Sequence, residues 1–255
     1  LIAYTTDENL VNKDEILLCV NDDNSIKKSL ELAGSQLTPL SQTSPWKNLD
    51  EKVFIFPADS AVELGASDKD SSYLIAYTTD ENLVNKDEIL LRGKDIKDLK
   101  GDEPFARIAI LLIDDSKHQD EQKIYRFLRD IEYKRYKVNP DGYMIRVNTN
   151  QLREGARVSK AAVKKGISFT DVGKILQDAY KQDENVKAVK QIFITDPSFD
   201  FETFAGVAKL NEGITVTLDH ILKNLKMDCN TCSFKDICDT IEGMRDIHKR
   251  EDYEF

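Results

Sequence analysis

The 255-residue sequence contains no run of about 18 or more apolar residues, so no membrane-spanning helix is expected from it. Its longest apolar run, residues 108–113, suits a buried strand instead. Positive charge is also in deficit: 36 Lys and Arg stand against 46 Asp and Glu, a formal net charge of −10. That balance argues against general binding to nucleic-acid phosphates, yet it leaves room for a local basic patch that holds a small anion. There is no Walker loop, no dinucleotide fingerprint and no nucleophile elbow, so those chemistries have no signature here. No secretory leader is expected from these residues, and the first residue is Leu1 rather than Met, so the natural start is expected to be missing or trimmed. The single Trp, Trp46, follows Pro45 in a polar stretch and reads as a packing anchor rather than a stacking platform. His118 and His220 read as ordinary polar residues. The acidic pairs Asp22-Asp23 and Asp114-Asp115 have no partner base, so no catalytic work is assigned to them.

A hydrophobic content of 40% is enough for a real core, and the length suits one large or two small domains. Four cysteines occur: Cys19, Cys229, Cys232 and Cys238. Three of them fall within ten residues, which favours a reduced, metal-binding role over a secreted disulfide framework. Residues 1–18 and 74–91 are identical letter for letter. Structural repeats diverge and come in threes or more. An unchanged pair points to a joining artefact more than to the alternative, a very recent duplication, so little functional weight falls on residues 1–18 or on Cys19.

Periodicity and punctuation give the expected elements. Residues 25–33 have helical spacing and end at Gly34. Residues 36–46 read as a loop and residues 52–56 as a strand closed by Pro57. Residues 73–78 and 88–91 read as strands joined by a polar turn, and the charged stretch 94–103 as exposed. A strong strand is expected over 106–113, an amphipathic helix over 119–136 carrying Ile124, Phe127, Leu128 and Ile131, a turn at 139–142, and a strand over 143–147. Ser159 is expected to cap a short helix stopping at Gly166, and Thr170 to cap a helix from Asp171 to about Lys181. A strand over 191–195 follows, then a helix with Asp196 as cap and Pro197 at its first position. Residues from 218 onward read as helical and lead into the cysteines.

Residues 151–196 carry Arg157-Val-Ser-Lys160, then Lys165-Gly166-Ile167, Gly173-Lys-Ile-Leu176 and Thr195-Asp196. Residues 89–114 carry Gly93-Lys-Asp-Ile96 between two strand-like runs. This order resembles the middle domain of the acetyl-CoA synthase subunit in the CO dehydrogenase/acetyl-CoA synthase family, over roughly residues 50–200. In that family the middle domain precedes a domain with a nickel–iron–sulfur cluster that joins a methyl group, CO and coenzyme A. The resemblance places Cys229, Cys232 and Cys238 where the family's cluster cysteines begin. The spacing to the third cysteine is shorter than in the family, no fourth cysteine follows, and the Cys-Gly-Cys that holds the distal nickel is absent. The resemblance therefore implies kinship rather than activity. Catalytic residues stay unassigned, and an acyltransferase of this type would need the missing cysteines.

Read on their own chemistry, Cys229-Asn-Thr-Cys232 and Cys238 offer three soft thiolates to one metal. A fourth donor would come from His248, Cys19 or another chain, or the position would stay open. An iron–sulfur cluster (4Fe-4S), zinc, and three metal-free thiols all remain open. The basic residues Arg126, Arg129, Arg135, Arg146, Arg153 and Arg157, with Lys134, Lys137 and Lys160, are a local excess in an acidic chain. Guanidinium groups suit phosphates. The resemblance implies coenzyme A binding by Arg157 and Lys160, with Arg146 and Arg153 as weaker candidates. The competing reading is an exposed face paired with Asp130, Glu132 and Glu154 in weak surface ion pairs.

The sequence reading is thus an α+β protein, with a mixed β-sheet and helices packed on one face, followed by a small helical cysteine-rich segment. Residues 1–48 form an N-terminal segment of undecided nature, 49–215 the acetyl-CoA-synthase-like middle domain, and 216–255 the metal-binding segment. The function expected is that of a subunit or truncated relative of acetyl-CoA synthase in an anaerobic, cytoplasmic one-carbon pathway. Its partners would be other subunits of such a complex and coenzyme A, with no nucleic acid and no membrane. The alternatives are a non-catalytic interaction module and a zinc-stabilised binding domain. The reading also carries a structural test: if the strands at 106–113, 143–147 and 191–195 do not share one sheet, the resemblance is wrong.

Overall fold

A computed structural model describes residues 23–49, 60–67, 69–114, 121–147 and 153–222. The expected strand at 52–56, Cys19, the helical stretch beyond residue 222 and the cysteine segment lie outside the described residues.

Eight strands and five α-helices occur among the described residues: α1 (Asp23–Ala33), β1 (Thr38–Pro39), β2 (Ala61–Leu64), β3 (Ser71–Thr78), β4 (Glu88–Arg92), β5 (Phe105–Ile113), α2 (Glu121–Lys134), β6 (Tyr143–Val147), β7 (Glu154–Ser159), α3 (Lys160–Lys165), α4 (Phe169–Tyr180), β8 (Val186–Ile194) and α5 (Phe201–Leu222). Five strands form a mixed sheet in the order β1-β4-β8-β5-β3, and three form a smaller antiparallel sheet in the order β2-β7-β6.

All nine residues of β5 are buried. A strand buried along its whole length needs cover on both sides. Ala106, Ile108, Ile110 and Leu112 face one side, together with Ile26 of α1 and Phe204 and Val207 of α5. Phe105, Ala109, Leu111 and Ile113 face the other, with Phe127 and Ile131 of α2, Phe169 and Val172 of α4, and Val62 and Val158 of the small sheet. Each of the larger side chains among them (Val, Leu, Ile, Phe), once fully buried, contributes roughly 1.5–3 kcal/mol. Phe169 stacks on Phe193 at 4.6 Å and on Phe105 at 6.0 Å, fixing α4 against β8 and β5.

The α+β class and the mixed sheet stand as read from the sequence, but helices cover both faces of the large sheet rather than one. The single-sheet test set for the resemblance is not met: only residues 106–113 and 191–195 share the large sheet. Residues 143–147 lie in the small sheet, because β6 finds its hydrogen-bond partner in β7. The runs at 73–78 and 88–91 are strands but not a hairpin. β3 pairs with β5 and β4 with β8, both in parallel. The stretch 94–103 is not all exposed, since Ile96 and Leu99 are core residues. Ser159 caps α3 and Gly166 ends it, as expected. Ser168, not Thr170, caps α4, in a reciprocal capping box with Asp171. Asp200, not Asp196, starts α5, accepting from the Thr203 amide at 2.9 Å.

Two of the motif segments turn out to be neighbours. Gly93 follows β4 with φ +105, and a Cβ there would come within 2.6 Å of the Asp196 amide nitrogen and of Thr195 Oγ1. Thr195 Oγ1 donates to the Lys94 carbonyl at 2.8 Å, and Arg92 Nε donates to Asp196 Oδ2 at 2.8 Å. Asp95 Oδ1 accepts from the Phe169 amide at 2.7 Å, tying the same loop to the start of α4. The backbone angle and the clash together make Gly93→Ala cost roughly 2 kcal/mol or more. The expected readout is a lower urea midpoint with an unchanged slope.

Candidate functional site: a charged face above a buried ion cluster

Strand β7 alternates between two charged environments. Glu154, Ala156 and Val158 point toward the large sheet and are essentially inaccessible. Gly155, Arg157 and Ser159 take the opposite face by the two-residue period of a strand.

On the inner side, Glu154 accepts from Arg107 Nε at 2.6 Å and from its Nη2 at 2.7 Å, a bidentate pair. Arg135 Nη1, from the 3-10 turn after α2, donates to the same carboxylate at 3.2 Å. Arg107 Nη1 also reaches the Gln191 Oε1 atom at 3.3 Å and the Tyr180 hydroxyl at 3.4 Å. Both guanidinium groups lie over the Tyr73 ring, at 4.6 and 3.9 Å. All three charged side chains are at most 1% exposed. Burial alone would raise the Glu154 pKa, but the two arginines and their hydrogen bonds outweigh it and hold the carboxyl below its ordinary 4.5. All three groups are buried, and the cluster is structural: it bolts the small sheet onto the large one.

The outer side is accessible. Register places Glu63 of β2 directly opposite Arg157, and Arg146 of β6 opposite Gly155. Arg157 Nε and Arg146 Nη1 each donate to one oxygen of the Glu63 carboxylate. Arg146 therefore reaches across β7 at the residue that has no side chain. Gly155 is needed there for a second reason: a Cβ would lie 2.7 Å from the Leu64 carbonyl oxygen. The Glu63 side chain is 11% exposed, that of Arg157 24% and that of Arg146 43%. The acid is sunk in the sheet while the guanidinium groups open to water.

Of the four residues the sequence nominated for coenzyme A, two converge, Arg146 and Arg157. Arg153 and Lys160 bracket β7 at its two ends, roughly 20 Å apart by strand rise, so the four do not form one point. Arg135 and Glu154, read from the sequence as part of an exposed paired face, are instead both buried. Arg129 does lie on the surface, where it donates to the Tyr133 hydroxyl at 2.9 Å. Arg107 and Glu63 escaped the sequence reading. A charge inside the apolar run 105–113 signalled the first, while only strand register identifies the second. Trp46 is the packing anchor expected, its indole N–H donating to the Asp141 carbonyl at 2.8 Å. Cys229, Cys232, Cys238 and His248 lie outside the described residues, and among the described residues no His, Cys, Asp and Glu side chains group as a metal site. No helix among them is long and apolar enough to cross a membrane.

Glu154→Gln would leave two buried guanidinium groups against a neutral partner. A loss of about 3–5 kcal/mol is expected in chemical unfolding. In the unaltered protein the Glu154 pKa is depressed on folding. Its contribution is therefore complete above the ordinary carboxylate pKa of 4.5 and is lost as pH falls through the lower folded value. Glu154→Gln should flatten that acid limb of the stability–pH curve.

The loop contacts of Gly93, Asp95, Thr195 and Asp196 give physical roles to residues of the distributed motif, and Arg157 to Lys160 carry β7 into α3. No curated protein matches the sequence. The family model described as the CO dehydrogenase/acetyl-CoA synthase complex beta subunit matches residues 54–199, more than half of the chain and nearly all of both sheets, so the single-sheet criterion was wrong and the resemblance stands. The chain belongs to the CO dehydrogenase/acetyl-CoA synthase complex beta subunit family.

Proposed function

We propose that the chain serves as a coenzyme A-handling subunit of a cytoplasmic, anaerobic CO dehydrogenase/acetyl-CoA synthase-type complex, its partners being the other subunits. The observation that supports this reading is the convergence of Arg146 and Arg157, from two strands, on the outer face of the small sheet in an otherwise acidic chain. Planar guanidinium groups with several donors suit the diphosphate and ribose phosphate of coenzyme A. Arg153 and Lys160, at the two ends of β7, extend the basic face along the length of such a ligand.

The second element of the proposal is a metal centre on Cys229, Cys232 and Cys238. Three thiolates fit an iron–sulfur cluster or zinc by their softness, with His248 as the candidate fourth donor. An iron–sulfur cluster would supply an electron-transfer or substrate-binding iron, whereas zinc would supply only structure. The three-thiolate set lacks the Cys-Gly-Cys of a nickel site, so no acyl-transfer step is assigned to these residues.

The test is titration calorimetry of the full chain with coenzyme A. Binding is expected, and Arg157→Gln should weaken it roughly 10- to 100-fold, the equivalent of about 1.5–3 kcal/mol for a charge-assisted hydrogen bond. No binding by the unaltered chain would overturn the coenzyme A reading. Elemental analysis of protein purified without oxygen tests the metal centre. Iron with acid-labile sulfide supports the cluster, while zinc or no metal leaves a non-catalytic binding module.

A further inference from the structure

The small sheet, β2-β7-β6, has two outer edges, and they differ. The β2 edge is closed by a neighbouring loop. The Glu63 amide donates to Asp102 Oδ1 at 2.8 Å, the Glu103 amide to the Glu63 carbonyl at 3.1 Å, and the Gly65 amide to the Glu103 carbonyl at 2.9 Å. At the other edge, the Ser159 amide donates to the Gly142 carbonyl at 2.9 Å, in line with the register of β6 on β7. Alternation along an antiparallel pair then gives Gly142, Met144 and Arg146 the main-chain bonds to β7. It turns the main-chain groups of Tyr143, Ile145 and Val147 to the outer edge. The Tyr143 amide donates to the Pro140 carbonyl at 2.8 Å. Among the described residues, nothing pairs with the Ile145 amide or carbonyl. Such an edge is a template for one more strand. The side chains define what it accepts. Met144 and Arg146 share the outer face, with Arg146 exposed, while Tyr143 and Ile145 pack on the core side. An added strand needs an acid beside Arg146 and an apolar residue beside Ile145, in alternation.

The last five residues of the sequence, Glu251-Asp-Tyr-Glu-Phe255, have that alternation. We propose that residues 251–255 add to β6 of the same molecule as a fourth strand of the small sheet. In an antiparallel pair with Tyr253 opposite Ile145, Asp252 stands opposite Arg146, Glu254 opposite Met144 and Phe255 opposite Tyr143. Both aromatic rings then join the core side, and the carboxylates of Asp252 and Glu254 flank Arg146 on the outer face. Charge selects this occupant over a second copy. Two β6 strands paired about a twofold axis at Ile145 set Arg146 against Met144 and bring no acid. Reach is no obstacle, since the chain from Leu222 to Asp252 spans up to roughly 100 Å when extended. A domain of this size is roughly 40 Å across. The added strand closes an edge that otherwise invites pairing with other chains. It also ties Cys229, Cys232 and Cys238 into a loop anchored at both ends, by α5 and by β6. The inference rests on the edge of the sheet and is independent of the coenzyme A reading.

The experiment is amide hydrogen exchange of the full chain, read residue by residue by NMR, beside a chain ended after Arg250. The Ile145 amide should exchange about ten-fold or more faster in the shortened chain, while the amides of β5 keep their rates and show that the fold is intact. In the full-length chain, Asp252→Lys sets like charges opposite each other and should speed exchange at Ile145 in the same way. Glu202→Lys, on the exposed start of α5, makes the same change in net charge and should leave Ile145 unaltered. Exchange at Ile145 that is equally fast in the full and shortened chains overturns the proposal. Equally slow exchange in both also overturns it, because another segment, such as residues 52–56, then fills the edge. So does acceleration that appears equally in Glu202→Lys. Protection of Ile145 that rises with protein concentration overturns the strand within one molecule in favour of exchange between copies.

Discussion

The fold depends on one buried carboxylate held by two buried arginines. Glu154 sits where the small sheet meets the large one, and Arg107 and Arg135 reach it from β5 and from the turn after α2. Three elements distant in sequence meet at that point. Burying charge is costly, and the cost is offset only when the hydrogen bonds are complete and well aligned. Here the bidentate pair with Glu154, the Gln191 amide oxygen, the Tyr180 hydroxyl and the Tyr73 ring supply these contacts to Arg107. The cluster fixes β7 in position and register as well as orientation. A slip of one residue would carry Glu154 to water and Arg157 into the core. The inner charges therefore determine which residues the outer face can show.

That coupling links stability to the candidate site. Arg157 and Arg146 converge on Glu63 because β7 lies between β2 and β6 in a fixed register, with Gly155 leaving a gap for Arg146 to cross. The large sheet supplies the rigid base. Its strands β5 and β8 are packed on both faces, by α1 and α5 on one and by α2, α4 and the small sheet on the other. The residues that carry the family likeness mostly serve this frame: Gly93 and Thr195 lock two loops together, and Ser159 caps α3. A distributed likeness with no single decisive motif is what such dispersed structural duties produce.

Local chemistry was legible in the sequence, whereas pairing at a distance was not. The helix ending at Gly34, the strand at 143–147 and the short helix from Ser159 to Gly166 follow from periodicity and punctuation within a few residues. The supposed hairpin of 73–78 and 88–91 failed because both runs were true strands whose partners, β5 and β8, lie further along the chain. Strand β7 was hidden by its composition, since a glutamate, a glycine and an arginine in six residues do not look like a buried strand. Its alternation is nevertheless clear once Glu154 is allowed inside with Ala156 and Val158. The cap of α4 was misplaced by two residues because Ser168 and Thr170 are both cap formers, and the reciprocal bond from Asp171 decides between them. For the site, the nomination of Arg146 and Arg157 came through the family likeness. Their meeting point, Glu63, needed the register of three strands.

In the proposed function Arg146 and Arg157, which meet on Glu63, bind a ligand phosphate. Side-chain nitrogen–proton NMR signals of the arginines report it most directly, because each Nε–H shift senses its own acceptor. On addition of coenzyme A, the Arg157 Nε–H signal should move with saturation while that of Arg107, locked on Glu154, stays in place. An Arg157 signal that does not move, or shifts spread equally over both arginines, would contradict the account.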